Sequence, residues 1–196
     1  MKLGILGSGK GSNFIAIQQA ILDGKLPAEV VVVVSDHAHA PIIERAREFG
    51  LPTAILPPSA FKTRLEPAIE EGLVALLQRH RVDLVVLAGY MRVVKAPLLQ
   101  AFPNRIVNIH PSLLPAFKGL HAWTQALDAG VAETGCTVHR VNEAIDGGEI
   151  LGQERVPVLP GDTSESLHAR IQEVEHRLYP AILAQLAQIV PISPGA

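Results

Sequence analysis

Residues 2–36 read KLGILGSGKGSNFIAIQQAILDGKLPAEVVVVVSD and contain the clearest indication of the fold class. Two apolar runs, KLGILG and EVVVVVSD, flank a segment with helical spacing, NFIAIQQAILDG, which ends at a glycine suited to a helix C-cap. The uninterrupted valine run is typical of a strand that is buried on both faces of a parallel sheet. The segment therefore predicts a strand–helix–strand unit with parallel strands.

The same alternation continues along the chain. Further strands are predicted at TAIL, VDLVVLAGY and RIVNIH, and they alternate with helices at APIIERAREFG, RLEPAIEEGLVALLQRH and APLLQAFPN. The second half then predicts a helix over about 121–129, strands at TGCTVHRV and GGEILGQERVPV, a helix from Thr163 to about Ile189, and a frayed PISPGA tail. We expect an α/β fold: a doubly wound, mostly parallel twisted sheet with an antiparallel C-terminal extension and a long C-terminal helix.

No composition shift or low-complexity stretch indicates a linker between domains. We therefore expect residues 1–196 to form a single domain. Its N-terminal half, about 1–105, would bind phosphate, and its C-terminal half, about 106–190, would be the catalytic half.

Composition narrows the classes of function. The chain has 196 residues, 48% hydrophobic and 18% charged, which is enough to bury a sizeable core. Its net charge of -2 gives no general attraction to nucleic acid or to anionic membranes. The single cysteine argues against a disulfide framework and a thiolate zinc site, and it favours a reducing, cytoplasmic location. Glycines interrupt the N-terminal apolar run before a signal peptide could form, and no run approaches the ~20 residues of a membrane span.

A glycine-rich loop, GSGKGSN, occupies residues 7–13 between the first strand and the first helix. Such a loop brings backbone N–H groups to a helix N-terminus, where the helix dipole favours an anion such as phosphate. Ser12 is the predicted N-cap of the helix. A tight turn without a ligand is the structural alternative.

Two nucleotide-binding motifs fail in this loop. Gly4 to Lys10 fits G-x-x-x-x-G-K, but Gly11 follows where that motif needs a hydroxyl side chain for magnesium. The dinucleotide motif fails because Ser12 stands at its third glycine. Asp36, however, ends the second strand, where a ribose-binding acid would lie, so an NAD-dependent dehydrogenase remains an alternative.

The strand RIVNIH places Asn108 and His110 two residues apart, so their side chains share one face of the sheet at the edge that carries the glycine loop. An amide can donate to a developing oxyanion, and a histidine can transfer a proton near neutral pH. Asp146, in NEAIDGGEI, precedes two glycines and could lie beside His110, where a carboxylate would favour the imidazolium form. A hairpin turn is the alternative for Asp-Gly-Gly. The sequence predicts a catalytic group of Asn108, His110 and Asp146.

Four motifs in this order, GSGKGSN, LAGYMRVV, NIHPSLLPAFKGLHA and DGGEI, resemble the phosphoribosylglycinamide formyltransferases, the folate-dependent glycinamide ribonucleotide transformylases. The resemblance runs from residue 1 to about 180. It implies that the amine of glycinamide ribonucleotide attacks the formyl carbon of 10-formyltetrahydrofolate, the co-substrate, in purine biosynthesis. It implies no metal, no covalent enzyme intermediate, no nucleic acid or membrane partner, and a monomer or a homodimer.

The resemblance also implies roles for individual residues. Asn108 and protonated His110 would stabilise the tetrahedral oxyanion, and Asp146 would keep His110 charged and help remove the proton of the amine. The implied binding residues fall into three groups: Gly11, Ser12 and Asn13 for the substrate phosphate; Arg64, Met91, Arg92, Val93, Val94, Asn108 and Val141 for the folate; and Gln172 and Glu175 for the ribose and amine. His121 and His139 match recurrent histidines near the site, with supporting or structural roles. Three residues have no assigned role: Asp36, which stands where the family would have Asn, and Lys10 and Trp123, which stand at variable positions.

Within the superfamily, 10-formyltetrahydrofolate hydrolase shares the Asn, His and Asp set and remains an alternative. Methionyl-tRNA formyltransferase fits less well, because FKGLHA replaces its arginine-rich loop. A non-catalytic nucleotide-binding module would need neither His110 nor Asp146. The spacing of His110, His121 and His139 matches no compact metal-ligand motif.

Overall fold

The structure is a computed structural model that describes residues 1–189, so the predicted PISPGA tail lies outside the described residues. The strands are β1 (Lys2–Leu6), β2 (Glu29–Ser35), β3 (Thr53–Ile55), β4 (Leu84–Leu87), β5 (Ile106–His110), β6 (Glu133–Arg140) and β7 (Ile150–Pro157). The helices are α1 (Ser12–Leu22), α2 (Pro41–Glu48), α3 (Pro67–Arg79), α4 (Ala96–Ala101), α5 (Ala122–Asp128) and α6 (Ser164–Ile189).

All seven strands form one sheet in the order β3-β2-β1-β4-β5-β6-β7. The pairs from β3 to β5 are parallel, whereas β5–β6 and β6–β7 are antiparallel. The predicted doubly wound sheet, its antiparallel extension and the long C-terminal helix are confirmed. Residues 105–110, between the two expected halves, run through the middle of this continuous sheet.

Both faces of the central strands are buried, as the apolar runs predict. In β4, Leu84 and Val86 pack with α1, α2 and α6, while Val85 and Leu87 pack with α3 and α4. The crossover helices α1 and α2 therefore lie on one face of the sheet, and α3 and α4 lie on the other. This is the doubly wound arrangement. Because side chains alternate along a strand, this burial on two faces explains the continuous runs of valine and leucine.

The strand order reverses between β1 and β4, and the loops that follow these two strands meet at that point. The backbone N–H of Ser8 donates to the carbonyl oxygen of Gly89 at 3.0 Å, and the N–H of Gly7 donates to that of Val34 at 3.0 Å. In an open α/β sheet, a crevice for a ligand forms outside the carboxyl ends of the strands at such a reversal. The glycine loop and the end of β5 both reach this edge.

Candidate active site

Asn108 and His110 lie at the carboxyl end of β5, on the same face of the sheet, as predicted. Val107 and Ile109 point to the opposite face and pack in the cluster with α1 and α6. Asn108 stands opposite Leu87 of β4 and His139 of β6, and His110 stands opposite Thr137. The two polar side chains therefore share a face with His139, which comes from the antiparallel neighbour.

His139 fixes the amide of Asn108. Asn108 Nδ2 lies 3.2 Å from Nε2 of His139, and the other ring nitrogen, Nδ1, lies 2.8 Å from the carbonyl oxygen of Arg140. Burial lowers the pKa of His139, although this carbonyl and Asp146 act in the opposite direction. A neutral ring that donates from Nδ1 to Arg140 presents a lone pair on Nε2. It can therefore accept one amide proton of Asn108 and leave the second amide proton for a ligand.

Asp146 contacts both histidines. Its Oδ2 lies 3.5 Å from Nδ1 of His110, and its Oδ1 lies 3.7 Å from Nε2 of His139. The carboxyl side chain is 11% exposed, so Asp146 contacts the two rings with little access of solvent. The structure thus brings Asn108, His110 and Asp146 together as the sequence predicts, with His139 as a fourth member.

The other nitrogen of His110 is held by the backbone. Nε2 lies 2.9 Å from the carbonyl oxygen of Phe117, which can only accept a proton. His110 therefore donates from Nε2 to Phe117, and Nδ1 is the nitrogen that faces Asp146. Phe117 reaches this position in the left-handed region, with φ 53°.

The loop that carries Asp146 depends on glycine. Asp146 itself has a φ of 47°, and its Oδ2 accepts the backbone N–H of Gly119 at 2.8 Å. A side chain at Gly148 would overlap the carbonyl oxygen of Arg140, so only glycine allows the loop to approach β6 this closely. The Asp-Gly-Gly motif is therefore a tight turn that also delivers the carboxylate to the histidines.

The segment from Pro111 to His121 is fixed by side chains of β6 and β7. The hydroxyl of Thr137 accepts the N–H of Leu114 at 3.0 Å and donates to the carbonyl oxygen of Ser112 at 2.6 Å. Gln153 donates to the carbonyl oxygen of Leu114 at 2.9 Å. These bonds set the path of the chain from the end of β5 to Phe117.

In the glycine loop, the N-cap of α1 is Gly11 rather than Ser12, so the predicted cap is wrong. Gly11 has a φ of 76°, and a side chain there would meet Ile42 of α2 at 2.8 Å. The left-handed conformation and the close approach of α2 both require glycine, which moves the cap back by one residue. Ser12 is the first residue of the helix, and Asn13, the next, is buried.

Asn13 forms a hydrogen bond with Glu175, one of the two residues predicted to bind the ribose and amine. Its Nδ2 donates to Oε2 of Glu175 on α6 at 2.9 Å, although 162 residues separate the two. Burial raises the pKa of Glu175 to about 7, while the hydrogen bond from Asn13 lowers it. The buried Oδ1 of Asn13 has no partner among the described residues. Gln172, one helical turn before Glu175, is half-buried.

The segment 91–94 lies against the glycine loop on one side and against residues 59–66 on the other. The N–H of Met91 donates to the hydroxyl of Ser8 at 2.9 Å, and the N–H of Val93 donates to the carbonyl oxygen of Thr63 at 2.8 Å. Val94 is buried, and Val141 packs against the same apolar cluster, whereas Met91 is 57% exposed. The segment therefore offers both backbone groups and apolar side chains at this edge.

Arg64 lies in the neighbouring 59–66 loop and is exposed. Its guanidinium lies over the ring of Phe61, 4.1 Å from the centroid. Within residues 1–189, it forms no hydrogen bond or ion pair with Asn108, His110 or Asp146.

The described residues contain no group of three or more His, Cys, Asp or Glu side chains placed to hold a metal ion. Over the same residues, no helix is long and apolar enough to cross a bilayer.

Comparison with known proteins identifies the family. The sequence profile of the formyl transferase family matches residues 1–183. The chain belongs to the formyl transferase family. It is 40% identical over 185 residues to the phosphoribosylglycinamide formyltransferase of Bacillus subtilis, a match that covers 94% of each chain. It is also 39% identical over 186 residues to the human trifunctional purine biosynthetic protein adenosine-3, covering 95% of this chain but 18% of that protein.

Solved structures agree with the family. The glycinamide ribonucleotide transformylase 1 of Symbiobacterium toebii superposes with a TM-score of 0.92 at 48% identity, covering 98% of this chain and 91% of that one. The phosphoribosylglycinamide formyltransferase of Bacillus halodurans superposes with a TM-score of 0.90 at 46% identity, covering 95% of each chain. The strand order and the long α6 helix described above are therefore those of this formyl transferase fold.

Sequence reasoning missed several contacts of the candidate site. The carbonyl of Phe117 and the N–H of Gly119 bind His110 and Asp146, but backbone groups carry no signature in the side-chain letters. Asp36 binds Arg92 at 2.5 Å, a pair separated by 56 residues that no local pattern connects. The position of His139 in β6 is compatible with the face that carries Asn108. Its pairing with Asn108, however, depends on the register of β5 with β6.

Proposed function

We propose that this protein transfers the formyl group of 10-formyltetrahydrofolate to the amine of glycinamide ribonucleotide, a step of purine biosynthesis. The family, and the names of relatives that match this chain over 94% of its length, support this activity. The observation that carries the proposal is the cluster of Asn108, His110 and Asp146 at the sheet edge that also carries the glycine loop.

In the proposed reaction, the amine attacks the formyl carbon, a new C–N bond forms, and the carbonyl oxygen becomes an oxyanion. The free amide proton of Asn108 and the Nδ1 proton of His110 imidazolium would both be donated to this oxygen. Donors that are already fixed by His139 and Phe117 need no reorganisation when the charge develops. The rate gain then comes from preorganised hydrogen bonds.

Asp146 has two tasks in this proposal. Its carboxylate stabilises the positive charge on His110, and it helps remove the proton that the attacking amine must lose, through a water molecule. The intermediate then collapses: the bond between the formyl carbon and N10 breaks, and N10 takes up a proton as tetrahydrofolate leaves. The balance needs no oxidant, metal or covalent enzyme intermediate.

Two binding regions flank the catalytic cluster. Gly11, Ser12 and Asn13 would bind the phosphate at the N-terminus of α1, and Gln172 and Glu175 would bind the ribose and amine. The folate would bind along residues 91–94 and Val141, with Arg64 near its carboxylates. The single cysteine fits a cytoplasmic enzyme, and we propose a monomer or a homodimer without nucleic acid or membrane partners.

The test mixes purified protein with 10-formyltetrahydrofolate and follows tetrahydrofolate by absorbance, with and without glycinamide ribonucleotide. We expect product only when the ribonucleotide is present. Equal product without it would move the assignment to 10-formyltetrahydrofolate hydrolase. The absence of product in both mixtures, from protein with a cooperative thermal transition, would contradict both activities.

A further inference from the structure

Asp36 and Arg92 form a buried ion pair that the proposed reaction does not use. Asp36 follows the last residue of β2, and its carboxyl side chain is 1% exposed, while the side chain of Arg92 is 11% exposed. Arg92 Nε lies 2.5 Å from Oδ2 of Asp36. Burial works to raise the pKa of Asp36, but the Ser8 hydroxyl and the Arg92 guanidinium outweigh it and bring that pKa below its usual value. The carboxylate is therefore ionised at neutral pH.

The ion pair is one of several contacts that bind residues 91–93 to neighbouring segments. A second guanidinium nitrogen of Arg92, Nη1, donates to the carbonyl oxygen of Phe61 at 2.5 Å. Met91 is bound through its N–H to Ser8, and Val93 through its N–H to Thr63. Arg92 thus has hydrogen bonds to both the end of β2 and the 59–66 loop, while Met91 is bound to the glycine loop and Val93 to the 59–66 loop.

Arg92 is the permanently charged partner of the Asp36 carboxylate. Oδ1 of this carboxylate is buried and has no hydrogen-bond partner among the described residues, and the nearby His37 Nε2 lies 3.6 Å from Oδ2. An ion pair that is taken from water and leaves one oxygen unpartnered is weak evidence for a contribution to stability. The pair is better explained by a role in positioning residues 91–93, the segment that contains Arg92.

We propose that Asp36 is a positioning residue: by binding Arg92, it holds residues 91–94 at a fixed distance from the glycine loop and so shapes the folate pocket. This inference rests on the proposed function, which assigns 91–94 to the folate. Because β1 and β4 separate β2 from β5 in the sheet, Asp36 acts on folate binding and leaves the chemical step at Asn108 and His110 unchanged.

The experiment compares Asp36→Asn with the wild-type enzyme. We expect the KM for 10-formyltetrahydrofolate to rise about tenfold or more, because Arg92 loses its anion and the segment loses its link to β2. The value of kcat and the KM for glycinamide ribonucleotide should stay within about threefold of the wild-type values. Calorimetric titration with tetrahydrofolate should show the same loss of affinity. The matched control is Asp162→Asn, which breaks another aspartate–arginine pair, with Arg170 at 2.7 Å, at the start of α6.

Arg92→Gln and the double variant test the route of the effect. If Asp36 acts through Arg92, Asp36→Asn should add no further rise in the folate KM when Arg92 is already glutamine. Additive effects, an unchanged folate KM, or an equal fall in kcat would overturn the inference. Loss of the cooperative thermal transition in both Asp36→Asn and the neutral double variant would also overturn it, because the pair would then be structural. Failure of the wild-type enzyme to turn over or to bind tetrahydrofolate would instead count against the proposed function.

Discussion

At the scale of single residues, two hydrogen bonds to the protein orient the amide of Asn108 and the imidazole of His110. His139 accepts from the amide of Asn108, and the carbonyl of Phe117 accepts from Nε2 of His110. Each of the two proposed donors therefore has one nitrogen position oriented by a hydrogen bond to the protein. This arrangement follows from the donor and acceptor inventory of amides and imidazoles.

Replacing Asp146 by Asn should separate catalysis from binding. The change keeps an oxygen for the N–H of Gly119 but removes the charge beside His110, so we expect kcat to fall by about 10²–10⁴-fold. The dissociation constant of tetrahydrofolate should change by less than about threefold. Steady-state kinetics and calorimetry measure both values, and Asp128→Asn, at the exposed end of α5, is the control. Near-normal turnover in Asp146→Asn would refute the role of the carboxylate.

Glu175 should make stability depend on pH. Its pKa is about 7 when buried and 4.5 in the unfolded chain, so between these values the folded state binds one more proton. The free energy of unfolding therefore falls as pH rises from about 4.5 to 7. Glu175→Gln removes this loss, and we expect its Tm to exceed the wild-type Tm by several degrees at pH 8 and to match it near pH 5.

Thermal melts at the two pH values measure this effect, and Glu173→Gln, an exposed neighbour on α6, is the control. The same Glu175→Gln variant should bind glycinamide ribonucleotide less tightly, because the proposed ligand of the ribose and amine loses its charge. A Tm difference that does not change between pH 5 and pH 8 would contradict the burial argument.

At the scale of elements, Tyr179 adds buried hydrogen bonds to the apolar packing of α6 against the sheet. The hydroxyl of Tyr179 lies 3.0 Å from the carbonyl oxygen of Leu87 at the end of β4 and 3.1 Å from that of Val107 in β5. The hydroxyl has one proton to share between these carbonyls. The contact places Glu175, one turn earlier on the same helix, beside the glycine loop.

Tyr179→Phe should therefore destabilise the protein by about 1–3 kcal/mol, because it removes a buried donor and leaves its acceptors in place. Tyr90→Phe is a matched control: its hydroxyl is buried without a hydrogen-bond partner among residues 1–189, so its removal should cost little. Urea unfolding of the two variants measures the difference. Equal losses of stability in both would show that the hydroxyl contacts of Tyr179 contribute nothing specific.

At the scale of the whole molecule, we propose that residues 1–196 unfold as one domain. The strand that separates the expected halves, β5, is paired with β4 on one side and with β6 on the other, and α6 of the C-terminal half packs in the same cluster as α1. Neither half could unfold without exposing apolar surface of the other.

The measurement compares two probes of thermal unfolding. Circular dichroism reports on all helices, and fluorescence reports on the single tryptophan, Trp123, whose ring stacks on His168 at 3.8 Å in the C-terminal half. We expect the two transitions to coincide within about 1 °C. Two separated transitions would indicate that the halves are independent domains.

Local patterns in the sequence predict the order and the type of the strands and helices. Runs such as EVVVVVS predict strands that are buried on both faces, and the two-residue spacing of Asn108 and His110 predicts that they share a face. The glycines of DGG and GSGKGSN predict tight turns at the same edge. These features are local, because side-chain periodicity and the steric freedom of glycine are fixed within a few residues.

The contacts between distant residues become visible only once the elements are packed together. Three side-chain contacts of this region join residues that are far apart in the chain. They are Asn13 with Glu175, Asp36 with Arg92, and Asn108 with His139, which are 162, 56 and 31 positions apart. The move of the α1 N-cap from Ser12 to Gly11 likewise depends on the approach of Ile42 from another helix. Such contacts are set by strand order, register and packing between elements, because periodicity along one segment contains no information about the segment it will face.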